Sequence, residues 1–338
     1  MDTLFILDKI DYKKKEKEII DKFKNQNIKI YYTEYEDALI RKVCKWKFIG
    51  EILLHILYWI KSYRYARKIY KENGKCKVIC INPIVGIFLG MKNRKNKMKI
   101  TLAGFLFEPK KNKFYYFLRK CIVKLFLKGI DNIVVYSRNE VNYYEKIFKI
   151  KKFTFVKYGI DYESHKKYMG ELPEKYIFSG GRSNRDYHTL IEAYNKVKKM
   201  YAIDLCIATR PVVLQNENTT NTIVLKDVVL ETFGSAMEFS DFVILPLMER
   251  EISAGHQVLL EALERNKIVI VSKIDAVLDY VSDEQVIFYE SSNVEDLISK
   301  MKEVLDNYNL YKEKYRNNYL FYNENYTFMK FLERLISV

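Results

Sequence analysis

Short apolar runs recur along the chain between longer stretches that mix apolar and charged residues, the rhythm of strands alternating with helices. In the first half these runs fall at residues 3–7, 28–32, 78–81, 99–103, 132–136 and 153–156. A polar, irregular segment then interrupts the alternation through Pro173. The rhythm resumes with runs at 176–179, 205–208, 223–225, 242–245, 268–271 and 286–289, and two helical stretches, near 307–320 and 326–336, close the sequence. Strands separated by helices predict α/β layers built on parallel sheets. With 338 residues, more than one core usually holds, the break predicts two domains, 1–160 and 174–325, followed by a last helix over 326–338.

Charge sharpens that division. Residues 1–160 carry 37 Lys+Arg against 15 Asp+Glu, so the net +15 of the whole chain arises in the first half and the second half is mildly acidic. The excess of Lys over Arg, with abundant Ile, Asn and Tyr, is the composition of an AT-rich coding sequence, which explains much of the lysine but not its unequal placement. No run of 18 uncharged apolar residues occurs and the opening residues Met1 to Asp8 carry no basic leader, so a cytoplasmic protein without a membrane span is expected. Five scattered cysteines, Cys44, Cys76, Cys80, Cys121 and Cys206, have neither C-x-x-C pairing nor histidines at zinc spacing and read as reduced thiols.

Two segments carry candidate chemistry. Ser179, Gly180, Gly181, Arg182, Arg185 and Asp186 follow the first strand of the second domain and lead into a helix. Paired glycines let backbone approach a ligand, two arginines can neutralise a diphosphate, and Asp186 suits a helix N-cap. Taken alone, the segment fits a tight strand-to-helix turn with solvated arginines equally well. In the second segment, a strand ending near Leu247 runs through Ser253, Gly255, His256 and Gln257 into a helix that carries Glu261, with another strand near 268–271. The first amides of that helix and its positive dipole end suit a phosphate. In an open α/β sheet both loops lie at the carboxyl ends of strands, where ligands bind.

The first domain adds two basic aromatic stretches. Residues 40–70 mix Trp46, Phe48, Leu53, Leu57, Trp59 and Ile60 with Arg41, Lys42, Lys45, Lys47, Lys61, Arg64, Arg67 and Lys68, and residues 111–128 hold Phe114, Tyr115, Tyr116, Phe117 and Leu118 among six cations. Such helices suit an anionic membrane interface; an ordinary helix with its apolar stripe on the sheet and its lysines in solvent is the plainer account. No RNA-binding signature accompanies them, so nucleic acid is not an expected partner.

The order of these landmarks, Tyr158-Gly159-Ile160-Asp161, then Gly180 to Tyr187, then Ser240 to Leu247, then Gly255 to Ala262 and Lys267 to Ser272, resembles the retaining group-1 glycosyltransferases of GT-B fold that build bacterial capsule, exopolysaccharide and lipopolysaccharide. The resemblance extends over about residues 78–338. It implies two Rossmann-like domains facing each other across a cleft, with a C-terminal helix crossing back to the N-terminal, acceptor-binding domain. It also implies a nucleotide-sugar donor, UDP-linked for preference, held by Gly180, Gly181, Arg182, Arg185, Arg210, Ser253, Gly255, His256, Gln257 and Glu261, with Glu261 on the ribose and Arg182 on the diphosphate. Arg182 and Arg185 are the catalytic candidates on the donor side; Glu108, directly after the strand at 99–103 where an acceptor loop is expected, is the candidate on the acceptor side, with a surface carboxylate before Pro109 as its plainer account. No cofactor and no metal are implied, since cations and helix ends carry the leaving-group charge. The implied partners are a glycan or undecaprenyl-linked acceptor and an anionic membrane surface, reached as a peripheral protein on the inner face of the cell membrane. Two positions depart from the pattern: Ser253 stands where a glutamate is usual eight residues before Glu261, and Tyr187 where a lysine is usual five residues after Arg182. Arg185 is then the candidate for the missing positive charge. An epimerase acting on nucleotide-sugars with the same fold, or a membrane-associated scaffold with a decayed nucleotide site, are the rival readings.

Overall fold

A computed structural model describes residues 2–8, 10–33, 47–110, 112–162, 170–225 and 230–338. Arg41, Lys42, Cys44, Lys45, Trp46 and Lys111 lie outside the described residues. Contacts divide the chain into two compact units, one of residues 1–136, 140–156 and 333–338, the other of residues 137–139 and 157–332.

The first unit is built on six parallel strands, β1 (Thr3–Leu7), β2 (Ile28–Tyr32), β3 (Lys77–Cys80), β4 (Lys99–Ala103), β5 (Asn132–Val135) and β6 (Phe153–Phe155). They lie in the order β2-β1-β3-β4-β5-β6. Its helices are α1 (Glu16–Lys22), α2 (Lys47–Glu72), α3 (Pro83–Lys92), α4 (Lys113–Leu127) and α5 (Arg138–Phe148). Phe5, Ile6, Val78, Ile79, Ile100, Leu102, Ile133 and Val134 are fully buried, as continuous apolar runs must be in a sheet covered on both faces.

Three of these helices form one layer. The ring of Tyr63 on α2 meets Phe88 on α3 edge-on at 5.7 Å, and Phe88 lies 6.3 Å from Phe126 on α4. Helices α3 and α4 approach closely because Gly90 faces Gly129: a Cβ on Gly129 would stand 2.2 Å from the Gly90 carbonyl oxygen, with backbone and not a movable side chain in the way. The last residues of the chain join this unit, Lys77 Nζ and Asn132 Nδ2 donating to the carbonyls of Ile336 and Val338.

The second unit repeats the plan with β7 (Tyr176–Gly180), β8 (Asp204–Ala208), β9 (Ile223–Leu225), β10 (Phe242–Leu245), β11 (Ile268–Lys273) and β12 (Ile287–Glu290), all parallel, in the order β12-β11-β10-β7-β8-β9. Its helices are α6 (Tyr187–Val197), α7 (Leu230–Glu238), α8 (His256–Glu264), α9 (Asp275–Leu278), α10 (Val294–Asp306), α11 (Tyr308–Lys314) and α12 (Asn318–Asn325). The direction of winding reverses between β7 and β10, and the crevice beyond the carboxyl ends of such a pair is where open α/β sheets bind ligands. All twelve expected strands are present.

The expected helix over 307–320 is instead two helices, α11 and α12, broken at Tyr315 to Asn317. The break lets the buried side chains of Tyr315 and Asn318 reach the carbonyls of Val286 and Gln285, at 3.1 and 2.9 Å. Backbone groups that the β12 approach leaves open are satisfied in this way, a tertiary demand that outweighs helix continuity. The chain ends in α13 (Phe328–Ser337).

Gly129→Ala is expected to destabilise the first unit by about 1–3 kcal/mol, the usual cost of overpacking. Gly74→Ala, where a Cβ would meet nothing within 4 Å, is the neutral control; urea unfolding of both variants followed by circular dichroism makes the comparison.

Candidate functional site: two glycine loops around a buried arginine

The loop after β7 is shaped by Gly181, whose φ of +111° favours glycine, and Asn184, at φ +55°. Two hydroxyls fix it: Tyr187 Oη and Thr209 Oγ1 both donate to the Gly181 carbonyl at 2.8 Å. Asp186 then caps α6, accepting from the Thr189 amide at 3.1 Å. Tyr187 thus spends its hydroxyl on the backbone, and burial pushes it up to about 12. It holds the loop in shape where a lysine would carry charge.

The loop after β10 is joined to the first by backbone. Asp186 N–H donates to the Pro246 carbonyl at 2.9 Å and Met248 N–H to that of Asn184 at 3.1 Å. The Asn184 side chain donates to the Ile252 carbonyl at 2.8 Å. The loop ends at Gly255, whose φ of +95° turns the chain into α8.

Arg185 lies between the two loops with 9 % of its surface exposed. Its Nε donates to the Gly180 carbonyl and one terminal nitrogen to that of Ser183, each at 2.8 Å. A Cβ on Gly181 would stand 2.3 Å from the other terminal nitrogen, and one on Gly255 would stand 3.5 Å from the nitrogen bound to Ser183. Among the described residues Arg185 has no carboxylate partner, and burial lowers its proton affinity. Its second terminal nitrogen has no acceptor among the described residues.

A helix start adds to the field. Helix α8 has no side-chain cap, and its first hydrogen bond runs from Leu259 N–H to the Gly255 carbonyl, so the amides of His256, Gln257 and Val258 make no helical bond. His256 is buried, lies with its ring 4.3 Å from that of Tyr280, and has Nε2 3.3 Å from the Ala276 carbonyl oxygen. Burial, with Arg185 nearby, holds it down to about 4, so the ring is neutral at physiological pH. A guanidinium beside open helix amides can hold an anion.

The remaining expected residues take several positions. Gly180, at the end of β7, packs so close to Phe233 that a Cβ would stand 2.4 Å from its ring. Arg182 and Arg210 are exposed, Arg210 following Thr209 and so flanking the glycine loop. Ser253 is half-buried in the β10 loop. Gln257 is exposed, and its amide nitrogen lies 3.4 Å from Tyr158 Oη. Glu261 is buried on α8 with Arg265 at 3.4 Å. Glu108 belongs to the first unit, exposed in the loop after β4 with Lys110 at 3.5 Å. Among the described residues no group of three His, Cys, Asp or Glu could hold a metal ion. The loop-holding roles of Tyr187, Thr209 and Asn184 have no mark in the sequence beyond the tolerance of asparagine for positive φ.

This architecture, two doubly wound parallel sheets, is the GT-B fold. Residues 163–321, within the second unit, match the model of the family described as glycosyl transferases group 1. Sucrose-phosphate synthase from Thermosynechococcus elongatus superposes with a TM-score of 0.65 at 10% identity, covering 100% of this chain and 98% of that one. Anabaena HepE in complex with UDP also gives 0.65, at 9% identity, covering 100% and 99%. A glycosyltransferase from Rickettsia africae gives 0.61 at 16% identity, covering 99% and 96%. No curated protein matches the sequence.

A histidine whose folded pKa lies below its unfolded value of about 6.5 leaves the unfolded state binding more protons between the two values. Its stabilising contribution is therefore full above pH 6.5 and is lost as pH falls toward 4. His256→Gln is expected to remove up to about 3 kcal/mol of the stability lost across that window, read by urea unfolding of both proteins at stepped pH.

Proposed function

We propose that the protein transfers a sugar from a nucleotide-sugar donor, UDP-linked for preference, to a glycan or undecaprenyl-linked acceptor in bacterial surface polysaccharide synthesis. The observation that carries this reading is Arg185, a buried guanidinium that has no carboxylate partner among the described residues, set beside the open amides of α8. A diphosphate there would take up the charge that the protein leaves unbalanced, with Arg182 and Arg210 closing on it from solvent. The group-1 match over the same unit and the UDP bound by the HepE structure support the nucleotide.

In this reading Glu261 accepts from the ribose hydroxyls. As the bond from sugar to diphosphate lengthens, negative charge grows on the leaving oxygen, and donors already in place stabilise it without reorganisation. That supply of positive charge makes a metal unnecessary and suits a retaining reaction, which asks the protein chiefly for positioning. Glu108 is the acceptor-side carboxylate, and the peripheral, cytoplasmic-face location accords with the absence, among the described residues, of a helix long and apolar enough to cross a membrane.

Thermal unfolding of the wild type with UDP, GDP, CMP or dTDP tests the donor site, because a ligand bound only by the folded state raises the melting temperature. UDP is expected to give the largest shift, and Arg185→Met and Glu261→Ala are each expected to weaken it at least about tenfold, the loss of one charge-assisted hydrogen bond or more. A wild type unmoved by all four nucleotides overturns the reading.

A further inference from the structure

Helix α4 is apolar on two opposite faces. Its inner face is already packed: Leu127 is buried, Phe126 meets Phe88, and Tyr116 meets Phe107 at 5.4 Å. Yet Phe114, Leu118, Ile122 and Leu125, spaced i, i+4, i+8 and i+11, form a second stripe that faces solvent, 76, 49, 46 and 46 % exposed. A soluble surface helix carries polar residues there. Leu106 beside it, and Ile56, Trp59 and Ile60 on α2 in the same helical layer, are exposed as well.

The charges carried by α4 itself are all positive. From Pro109 to Ile130 the sequence has no Asp or Glu, and Lys113, Lys120, Lys124 and Lys128 have no ion-pair partner among the described residues. On α2 the exposed apolar residues run into Arg64 and Arg67. Apolar residues flanked by unneutralised cations match an anionic lipid surface, where the stripe enters the acyl boundary and the lysines meet headgroup phosphates.

We propose that α4, with Ile56, Trp59 and Ile60 of α2, docks the protein on an anionic phospholipid bilayer, the stripe Phe114, Leu118, Ile122 and Leu125 inserting into the interface. A second copy of the chain is disfavoured as the occupant, because a two-fold contact through this face would set its own lysines against one another. RNA is disfavoured because Leu118, Ile122 and Leu125 offer it neither stacking nor charge. This surface deepens the peripheral location proposed above and makes no use of the donor site, so vesicle binding and nucleotide binding fail or succeed separately.

The test is co-sedimentation of the full chain with vesicles of phosphatidylcholine alone or mixed with phosphatidylglycerol, at low and high salt. Binding about tenfold or more tighter to the mixed vesicles, weakened by salt, is expected. Leu118→Ser/Ile122→Ser should reduce it about tenfold or more while the melting temperature stays unchanged. Lys120→Gln/Lys124→Gln should reduce the preference for the anionic lipid. The proposal is overturned if the wild type binds neither vesicle, if the Leu118 and Ile122 variant binds as well as the wild type, or if single-stranded RNA is bound more tightly than the mixed vesicles. Concentration-dependent self-association that the same variant abolishes would also overturn it, by giving the stripe to a second copy.

Discussion

Burying a guanidinium that has no carboxylate beside it among the described residues is the constraint on which the second unit is arranged. Such a charge is tolerable only where carbonyl dipoles surround it and an anion can reach it. Arg185 obtains the dipoles from Gly180 and Ser183, and the room from Gly181 and Gly255, positions where a side chain would meet or press upon the guanidinium. The left-handed backbone at Gly181, Asn184 and Gly255 follows from the same requirement. So does the pairing of the β7 and β10 loops, which brings the open end of α8 to the buried Arg185.

Tyrosine does much of the holding. Among 28 tyrosines, Tyr176, Tyr187, Tyr194 and Tyr315 each donate a phenol to a backbone carbonyl, at Ala236, Gly181, Ile203 and Val286. A phenol fills core volume with an apolar ring and still satisfies a distant carbonyl. Loops are thereby fixed to the sheet by neutral hydrogen bonds, and the exposed Arg182 and Arg210 near the glycine loop have no carboxylate partner among the described residues.

The first unit solves a different problem. Gly90 and Gly129 bring α3 and α4 into backbone contact, and the aromatic series from Tyr63 through Phe88 to Phe126 completes the layer's inner packing. Because that inner packing is complete, the outward stripe on α4 is surplus to folding. Lys113, Lys120, Lys124 and Lys128 accompany this stripe along the helix, whereas the anion site proposed in the second unit would be made from a few arginines and backbone amides.

Legible in the residue pattern were all twelve strands, their alternation with helices and the loops that carry the candidate chemistry, because a strand covered on both faces must be continuously apolar and a glycine before a helix marks a turn that can approach a ligand; the doubly wound arrangement was implied by the family resemblance. Asp186 as the cap of α6 was equally legible, since capping is a local affair of four residues. Which arginine is buried follows from long-range pairing in the tertiary structure: Arg182 and Arg185 are alike in sequence, but Arg185 pairs backbone with Leu247 of the β10 loop and is drawn inward, while Arg182 stays in solvent. The break between α11 and α12, and the role of Tyr187 as a clamp on Gly181 where a lysine is usual, were also settled there. Each depends on a carbonyl from a segment distant in the chain, and no local pattern of residues records which distant carbonyl will need a partner.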